Sequence, residues 1–387
     1  MNAALQETYI AIVGCGFVAD YYMATLAQYS WMRVAGVFDI DARRLDAFGA
    51  YYRLPIYSSL DRLLADQRVS IIVNLTNPRA HYEISRRCLE AGKHVYSEKP
   101  LAMHYAQAKE LVELAENRGL LISSAPCSVL GDAAQILWRG VRDNVVGKVR
   151  LVYAELDDGM VYRMPYKKWI SPSGAHWPYK DEFEVGCTLE HAGYYLSWLI
   201  AMFGRVERVT ACSECLVPEK LPDEELLPPD TPDFSVGVLK FETGVIARLS
   251  TSVIAPHNHA IRIIGDRGTL ELKDCWFNDA KVYMRKPITL RRKTFLSPVA
   301  VRYKPVVGPR EIPTRLDTGG NRMDFAAGPA ELAMSITEGR ACRLSPRFSL
   351  HVNEVALALQ YVRGDYLPQS RFELISPAEW STTGLQR

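Results

Sequence analysis

The sequence predicts a two-domain α/β protein: an N-terminal Rossmann domain with a doubly wound parallel sheet, then an α+β domain with an open, largely antiparallel sheet. Two observations carry this. Short apolar runs alternate with helical segments as far as Leu121, and beyond Pro126 longer runs are joined by hairpin turns instead of crossover helices. A chain of 387 residues, 48% of them hydrophobic, exceeds what one core usually supports, so domains at 1–125 and 126–387 are expected.

In order, Tyr9 to Val13 is an apolar strand that runs into Gly14-Cys15-Gly16-Phe17-Val18-Ala19 and a helix through Gln28. Arg33 to Phe38 is the second strand and ends at Asp39. Helix Ala42 to Ala50, strand Ser70 to Asn74, helix His81 to Ala91, strand His94 to Tyr96 and helix Tyr105 to Gly119 continue the alternation. A last N-terminal strand, Leu121 to Pro126, leads to helix Asp132 to Asn144. Val236 to Ser252 turns at Thr243-Gly244, and Ile261 to Leu272 turns at Asp266-Arg267-Gly268. Helices from Asn321 to Glu338 and from Ser349 to Val362 close the chain, and the acidic, proline-rich stretch Pro218 to Pro232 is an expected exposed loop.

The glycine loop points to a dinucleotide. Gly14 and Gly16 permit a tight turn and close approach of a pyrophosphate, Ala19 keeps the helix near the strand, and amides near Phe17 and Val18 supply donors. Asp39 falls where a carboxylate holds both ribose hydroxyls and repels a 2′-phosphate, which favours NAD over NADP; Arg43 and Arg44 nearby oppose that preference. One βαβ length downstream, Glu98-Lys99-Pro100 places a lysine where a nicotinamide ring should lie, and that is a feature of a dehydrogenase.

Together these motifs resemble the glucose-fructose oxidoreductase / inositol 2-dehydrogenase / rhizopine catabolism (Gfo/Idh/MocA) family of nicotinamide-dependent sugar oxidoreductases. The resemblance also rests on Asn74-Leu-Thr-Asn-Pro-Arg-Ala-His81, Ala91 to Leu101, Gly265 to Leu272 and Gly328-Pro-Ala-Glu-Leu332. It implies that Thr76, Asn77 and His81 lie beneath the nicotinamide ribose, that Lys99 reaches the reacting oxygen, and that Glu98 and a cis Lys99-Pro100 bond fix the lysine. It also implies a carbohydrate substrate and a homodimer or homotetramer paired through the second-domain sheet. An inositol or cyclitol dehydrogenase, a glycoside-cleaving enzyme that recycles NAD, and a cofactor-binding regulator without turnover are the alternatives.

The chain departs from the family where an aspartate and, four residues later, a histidine are common. Gly186 to Trp198 instead places Glu190 and Tyr194 there, with Ser197 at a second aspartate position. Helical spacing puts Leu189, Ala192, Leu196, Leu199 and Phe203 on a core stripe and Glu190, Tyr194 and Ser197 on the next. Tyr194 is therefore the expected proton carrier, its phenol assisted by the Lys99 ammonium, with His191 as its rival and Tyr195 beside it. Tyr162 to Lys180 mixes aromatic and basic residues suited to a sugar face or an anionic group. Lys281 to Lys304 is basic with no acidic residue and reads as a solvated strand face, a phosphate site being the alternative.

A formal charge of +2 gives no global field for nucleic acid, and neither a leader nor a membrane span is apparent, so a cytoplasmic protein is expected. The eight cysteines look like buried hydrophobes of a reducing compartment. Cys212-Ser-Glu-Cys215 has no second pair, and a strand through Val217 would send its thiols to opposite faces, so no metal is expected.

Overall fold

A computed structural model describes residues 7–221, 231–305 and 323–374. Its first sheet is built from β1 (Thr8–Val13), β2 (Met32–Phe38), β3 (Val69–Asn74), β4 (His94–Ser97) and β5 (Ile122–Ser124) in the order β2-β1-β3-β4-β5, every neighbouring pair parallel. Its helices are α1 (Phe17–Leu26), α2 (Ala42–Tyr52), α3 (Leu60–Ala65), α4 (His81–Glu90) and α5 (Tyr105–Asn117). Strand alternation sends Ile10 and Ile12 into one core cluster and Ala11 and Val13 into the other, so both faces of the sheet are covered. Because β1 lies between β2 and β3, the loops after β1 and β3 diverge, and the crevice between them is the switch point where ligands of such sheets bind.

After α6 (Asp132–Arg142) the second sheet begins with β6 (Val149–Asp157). Helices α7 (Tyr179–Val185) and α8 (Cys187–Phe203) precede β7 (Val206–Glu214), β8 (Phe234–Phe241), β9 (Ile246–Ser252), β10 (Ile261–Gly265) and β11 (Gly268–Leu272). Then come β12 (Tyr283–Arg285), an exposed hairpin of β13 (Pro287–Leu290) and β14 (Lys293–Leu296), β15 (Val301–Arg302), α9 (Ala327–Glu338), α10 (Pro346–Tyr361) and β16 (Gly364–Tyr366). The nine-stranded order is β15-β12-β11-β10-β6-β9-β8-β7-β16, antiparallel except where β6 meets β9. Its outer face is polar: Arg248 pairs with Glu155 at 2.6 Å and Arg262 with Glu271 at 3.1 Å.

Two helices tie the halves together. α8 is buried at every position except Met202, as expected of a helix apolar on all sides, so its sequence does not separate a core stripe from a functional one. α10 starts at Pro346, with the Ser345 hydroxyl accepting from Phe348 N at 3.2 Å, and Asn353 pairs with the backbone of Ala102 at 3.1 and 3.3 Å. The helix thereby braces the segment that follows Lys99-Pro100.

Several boundaries differ from the sequence reading. Residues 321–322 and 222–230, within the helix anticipated from Asn321 and the acidic loop, lie outside the described residues, and the observed α9 starts only at Ala327. α10 begins three residues before the expected Ser349, since proline is favoured at a helix's first position. α3 and α7 were not anticipated; at six and seven residues they are too short to display a period. The strand expected to reach Val217 stops at Glu214, because the Asp233 carboxylate accepts from Leu216 N and Val217 N, both at 2.8 Å, and turns the chain. Cys215 thus lies past the strand, 3.5 Å from Lys220 Nζ, while Cys212 is exposed. No helix among the described residues is long and apolar enough to cross a membrane.

Candidate active site

A cleft of about 1410 Å³ runs from the loop after β1, past the Lys99 turn, to α8 and the segments after β9 and β11. At one end the backbone sets its shape. Gly14 has φ +100, and a Cβ there would lie 2.5 Å from the Leu75 carbonyl oxygen, so no side chain fits where the two loops touch. Gly16 has no such constraint: a Cβ would meet no atom within 4 Å, and the open space over it belongs to the cleft. It caps α1 without a side-chain hydrogen bond, which leaves the helix's positive end and first amides for an anion. Gly14, Gly16, Phe17 and Val18 all line the cleft, and this end fits a pyrophosphate.

Asp39, at the end of β2, is buried. Its Oδ2 accepts from Cys15 N and its Oδ1 from Asp41 N, each at 2.8 Å, which leaves further lone pairs for ribose hydroxyls. The Arg44 guanidinium stands 3.4 Å from Oδ1 and lines the same wall, offsetting the carboxylate's repulsion of a phosphate.

The next wall comes from the loops after β3 and β4. Asn74 Oδ1 accepts from Thr76 Oγ1 at 2.7 Å, and the Asn77 side chain accepts from Arg79 N at 3.0 Å. His81 is fully buried: Nδ1 lies 2.7 Å from the Pro100 carbonyl and Nε2 2.9 Å from that of Thr76. Burial lowers its pKa against the pull of those carbonyls. An uncharged imidazole donates from one nitrogen only, so His81 ties one of these two carbonyls to α4 by a hydrogen bond. Glu98 is likewise spent on position: Oε1 accepts from Tyr22 Oη at 2.7 Å and Oε2 from Lys99 N at 3.0 Å. The Lys99-Pro100 bond is cis.

At the far end the Lys99 ammonium meets the Glu190 carboxylate delivered by α8, in a short ion pair with Glu190 only 3% exposed. Burial opposes the ammonium, but the charges of Glu190, Glu182 and neighbouring groups win and hold Lys99 well above its usual range. Glu182, from α7, adds a second carboxylate. Burial, then the negative charge of Glu190, push it well above the carboxylate range, although Lys99 pulls the other way. One cation faces two carboxylates here, so Glu182 holds its proton more tightly than an ordinary carboxyl group does.

Tyr194 lines the cleft and its ring lies 4.8 Å from that of Trp276. Lys99 does draw its pKa down, as the sequence reading anticipated, but burial is the larger effect and leaves the phenol well above 10. Tyr194 is thus a neutral hydrogen-bonding group here. His191 lines the cleft with Nε2 3.5 Å from Asp158 Oδ2, while its Nδ1 is buried without a partner. Ser197 donates to the Tyr194 carbonyl at 3.0 Å and does not line the cleft; the stripe reading fails there because α8 is enclosed on all sides.

The aromatic and basic segment forms a wall through Lys168, Trp169, His176, Trp177 and Pro178, whereas Tyr166 is buried and donates to the Lys220 carbonyl at 3.1 Å. No residue of Lys281 to Lys304 lines the cleft, so the basic strands are not brought to it. Glu182, Asp158, His257, His259, Asp274, Trp276 and Phe325 line it without having been singled out. His257-Asn-His259 was the one local signal among them. The others are single residues from separate elements.

Comparison with known proteins places these features. Residues 8–125 match the family model of the GFO_IDH_MocA oxidoreductases with an NAD-binding Rossmann fold, and residues 135–271 match the GFO/IDH/MocA C-terminal domain. An uncharacterized oxidoreductase of Bacillus subtilis, YfiI, is 27% identical over 259 residues, 62% of each chain. Bovine trans-1,2-dihydrobenzene-1,2-diol dehydrogenase is 24% identical over 271 residues, 68% of this chain and 74% of its own. The WlbA dehydrogenase of Bordetella pertussis, solved with NADH and UDP-GlcNAcA, superposes with a TM-score of 0.70 at 16% identity, covering 93% of this chain and 96% of that one. Against three curated relatives the match spans only 21%, 62% and 56% of their lengths.

Proposed function

Since the chain belongs to the GFO/IDH/MocA family of oxidoreductases, we propose that it transfers a hydride between NAD(H) and a ring secondary hydroxyl or ketone of a sugar, sugar derivative or nucleotide sugar. The observation that carries this reading is the meeting of Lys99, from the nucleotide domain, with Glu190 and Glu182, from the substrate domain, at the inner end of a cleft that begins at the glycine loop. A protein that only held a dinucleotide would need no ammonium and carboxylate pair there.

When bound, the nicotinamide accepts the hydride in oxidation and supplies it in reduction. The chain's residues manage the rest. Lys99 donates to the substrate oxygen and stabilises it as negative charge develops. In oxidation the ionised carboxylate of the Glu190–Glu182 pair takes the hydroxyl proton; in reduction the pair returns it. Tyr194 orients substrate as a neutral donor, and Trp169, Trp177 and Trp276 offer apolar faces to the C–H side of a ring. Asp39 supports NAD over NADP, with Arg44 as the residue that opposes the preference.

Eight thiols without disulfides accord with a cytoplasmic protein. A homodimer or homotetramer through the outer sheet face would bury the ion pairs of Arg248 and Arg262, so its assembly should be salt-sensitive.

A screen of sugars, sugar acids, polyols and nucleotide sugars, followed by absorbance of reduced nicotinamide, tests the reading. Net NADH formed from a carbohydrate supports it. Turnover only with aliphatic or steroid alcohols would remove the carbohydrate half. Bond cleavage without net NADH would favour the glycoside-cleaving alternative.

A further inference from the structure

Beyond the Lys99 group, the cleft holds a second set of ionisable side chains that the proposed hydride transfer does not use. Asp158 follows β6, His257 and His259 lie between β9 and β10, and Asp274 follows β11. All four line the cleft. One donor atom each from Asp158, His257 and His259 lie within 4.8 Å of one another. Ligands around a single ion, at bonds of about 2.0–2.2 Å, stand about 3–4 Å apart, so a small closure completes the set.

The contacts also orient the rings as a metal would require. His259 is 1% exposed, with Nε2 3.4 Å from Asp158 Oδ1 and Nδ1 3.4 Å from Asp274 Oδ1. That Nδ1 makes no aligned hydrogen bond, which leaves a fully buried imidazole nitrogen unsatisfied. Asp274 Oδ2 is 3.1 Å from His257 Nε2, so one carboxylate addresses both imidazoles, the usual outer partner of metal-bound histidines. The two rings lie 4.0 Å apart. Trp276 Nε1 donates to His259 Nε2 at 3.3 Å and would yield that nitrogen to an ion. A second grouping, His259 with Asp274 and Cys275, draws on Cys275, which does not line the cleft.

We propose that Asp158, His257 and His259 form a binding site for one divalent first-row transition metal ion, with Asp274 holding the two imidazoles in place. Two imidazoles and one carboxylate suit zinc, iron or nickel more than magnesium or calcium, and three protein ligands leave coordination positions open to the cleft. The Trp276 ring lies between those of Tyr194 and His259, tilted to both, and all of them line the same cleft, so a bound ion would be open to hydroxyl or carboxylate oxygens of a carbohydrate there. His257-Asn-His259 is the only local trace of the site in the sequence, because Asp158 joins it from a separate loop about a hundred residues away.

Zinc is the probe. The full chain, stripped with a chelator and dialysed, is titrated with Zn²⁺ against a chromophoric chelator, and cobalt is substituted to read the ligand field in visible absorption. The expected result is one equivalent bound per chain. It is abolished in Asp158→Asn and His257→Ala, weakened about 10–100-fold in Asp274→Asn, and unchanged in Cys212→Ser/Cys215→Ser. Circular dichroism and NAD(H) binding, measured on the same variants, confirm that they are folded. No stoichiometric binding, or binding lost only in the cysteine variant, would overturn the site. NAD(H) binding is measured without metal, so failure of the metal site and failure of the oxidoreductase reading are distinguishable.

Discussion

The two ends of the cleft are built on different physics. The end at Gly14 and Gly16 is backbone: a left-handed glycine, an uncapped helix terminus and one carboxylate already fixed by two amides. The end at Lys99 concentrates ionisable side chains from α7, α8 and the later loops, and burial and mutual charge displace the protonation of Glu182 and Tyr194. A recognition site for a constant ligand gains from rigid amides. A reacting centre needs groups whose charge can change. Substitutions at the first end should therefore move binding, and those at the second should move rate.

The largest effect belongs to Lys99→Ala. Turnover should fall by about 100- to 10,000-fold with NAD(H) affinity nearly unchanged, because the lost interaction grows with charge in the transition state. Calorimetry paired with steady-state kinetics checks it, and near-normal turnover would take Lys99 out of the mechanism.

Glu190→Gln and Glu182→Gln should follow, with losses of about 10- to 100-fold and an altered pH profile, whereas Tyr194→Phe should cost less, as suits a neutral donor. If His191→Ala fails while the glutamine variants work, the proton belongs to the histidine. Glu182 also leaves a mark on stability. Its folded pKa is raised above the ordinary 4.5, so its contribution is fully present below that pH and is lost as pH rises toward the folded value. Thermal melts should accordingly show the wild type losing stability relative to Glu182→Gln as pH increases from about 4.5. A constant difference across pH would contradict the raised pKa.

At the other end the two glycines should separate. Gly14→Ala forces an L-residue to φ +100 against the Leu75 carbonyl and should destabilise the fold by about 1–3 kcal/mol. Gly16→Val should leave the melting temperature alone and weaken NAD(H) about tenfold, or about 1.4 kcal/mol. Loss of stability in Gly16→Val, with binding intact, would put the constraint inside the protein.

The smallest effect concerns cofactor choice. Asp39→Ala should weaken NAD about tenfold and bring NADP level with it, since Arg44 would then face a 2′-phosphate without the carboxylate beside it. Wild-type preference for NADP in calorimetry would reverse the assignment.

The same division decides what could be read from the sequence. Gly14, Gly16, Asp39 and the Glu98-Lys99-Pro100 turn were legible because each sits in a contiguous motif whose backbone requirement is written into neighbouring residues. Glu182, Trp276 and the Asp158–His257–His259 set were not, because their proximity is a product of sheet topology. Glu190 and Tyr194 lie between the two cases: helical spacing placed them together, but α8 is buried all round, and the same reasoning wrongly carried Ser197 to the cleft. His81 sat in a recognised motif, but the motif did not show that its buried ring lies between the carbonyls of Thr76 and Pro100.

The central claim, hydride transfer from a carbohydrate carbinol at Lys99, is tested most directly in a single turnover. Excess enzyme with bound NAD is mixed in a stopped flow with a sugar found in the screen, unlabelled or deuterated at the carbon to be oxidised, and absorbance of NADH is followed. The account predicts a burst of NADH in proportion to sugar, slowed by deuterium, and absent in Lys99→Ala although that variant holds NAD. Product formed with no NADH at any time, or a burst that persists in Lys99→Ala, would contradict it.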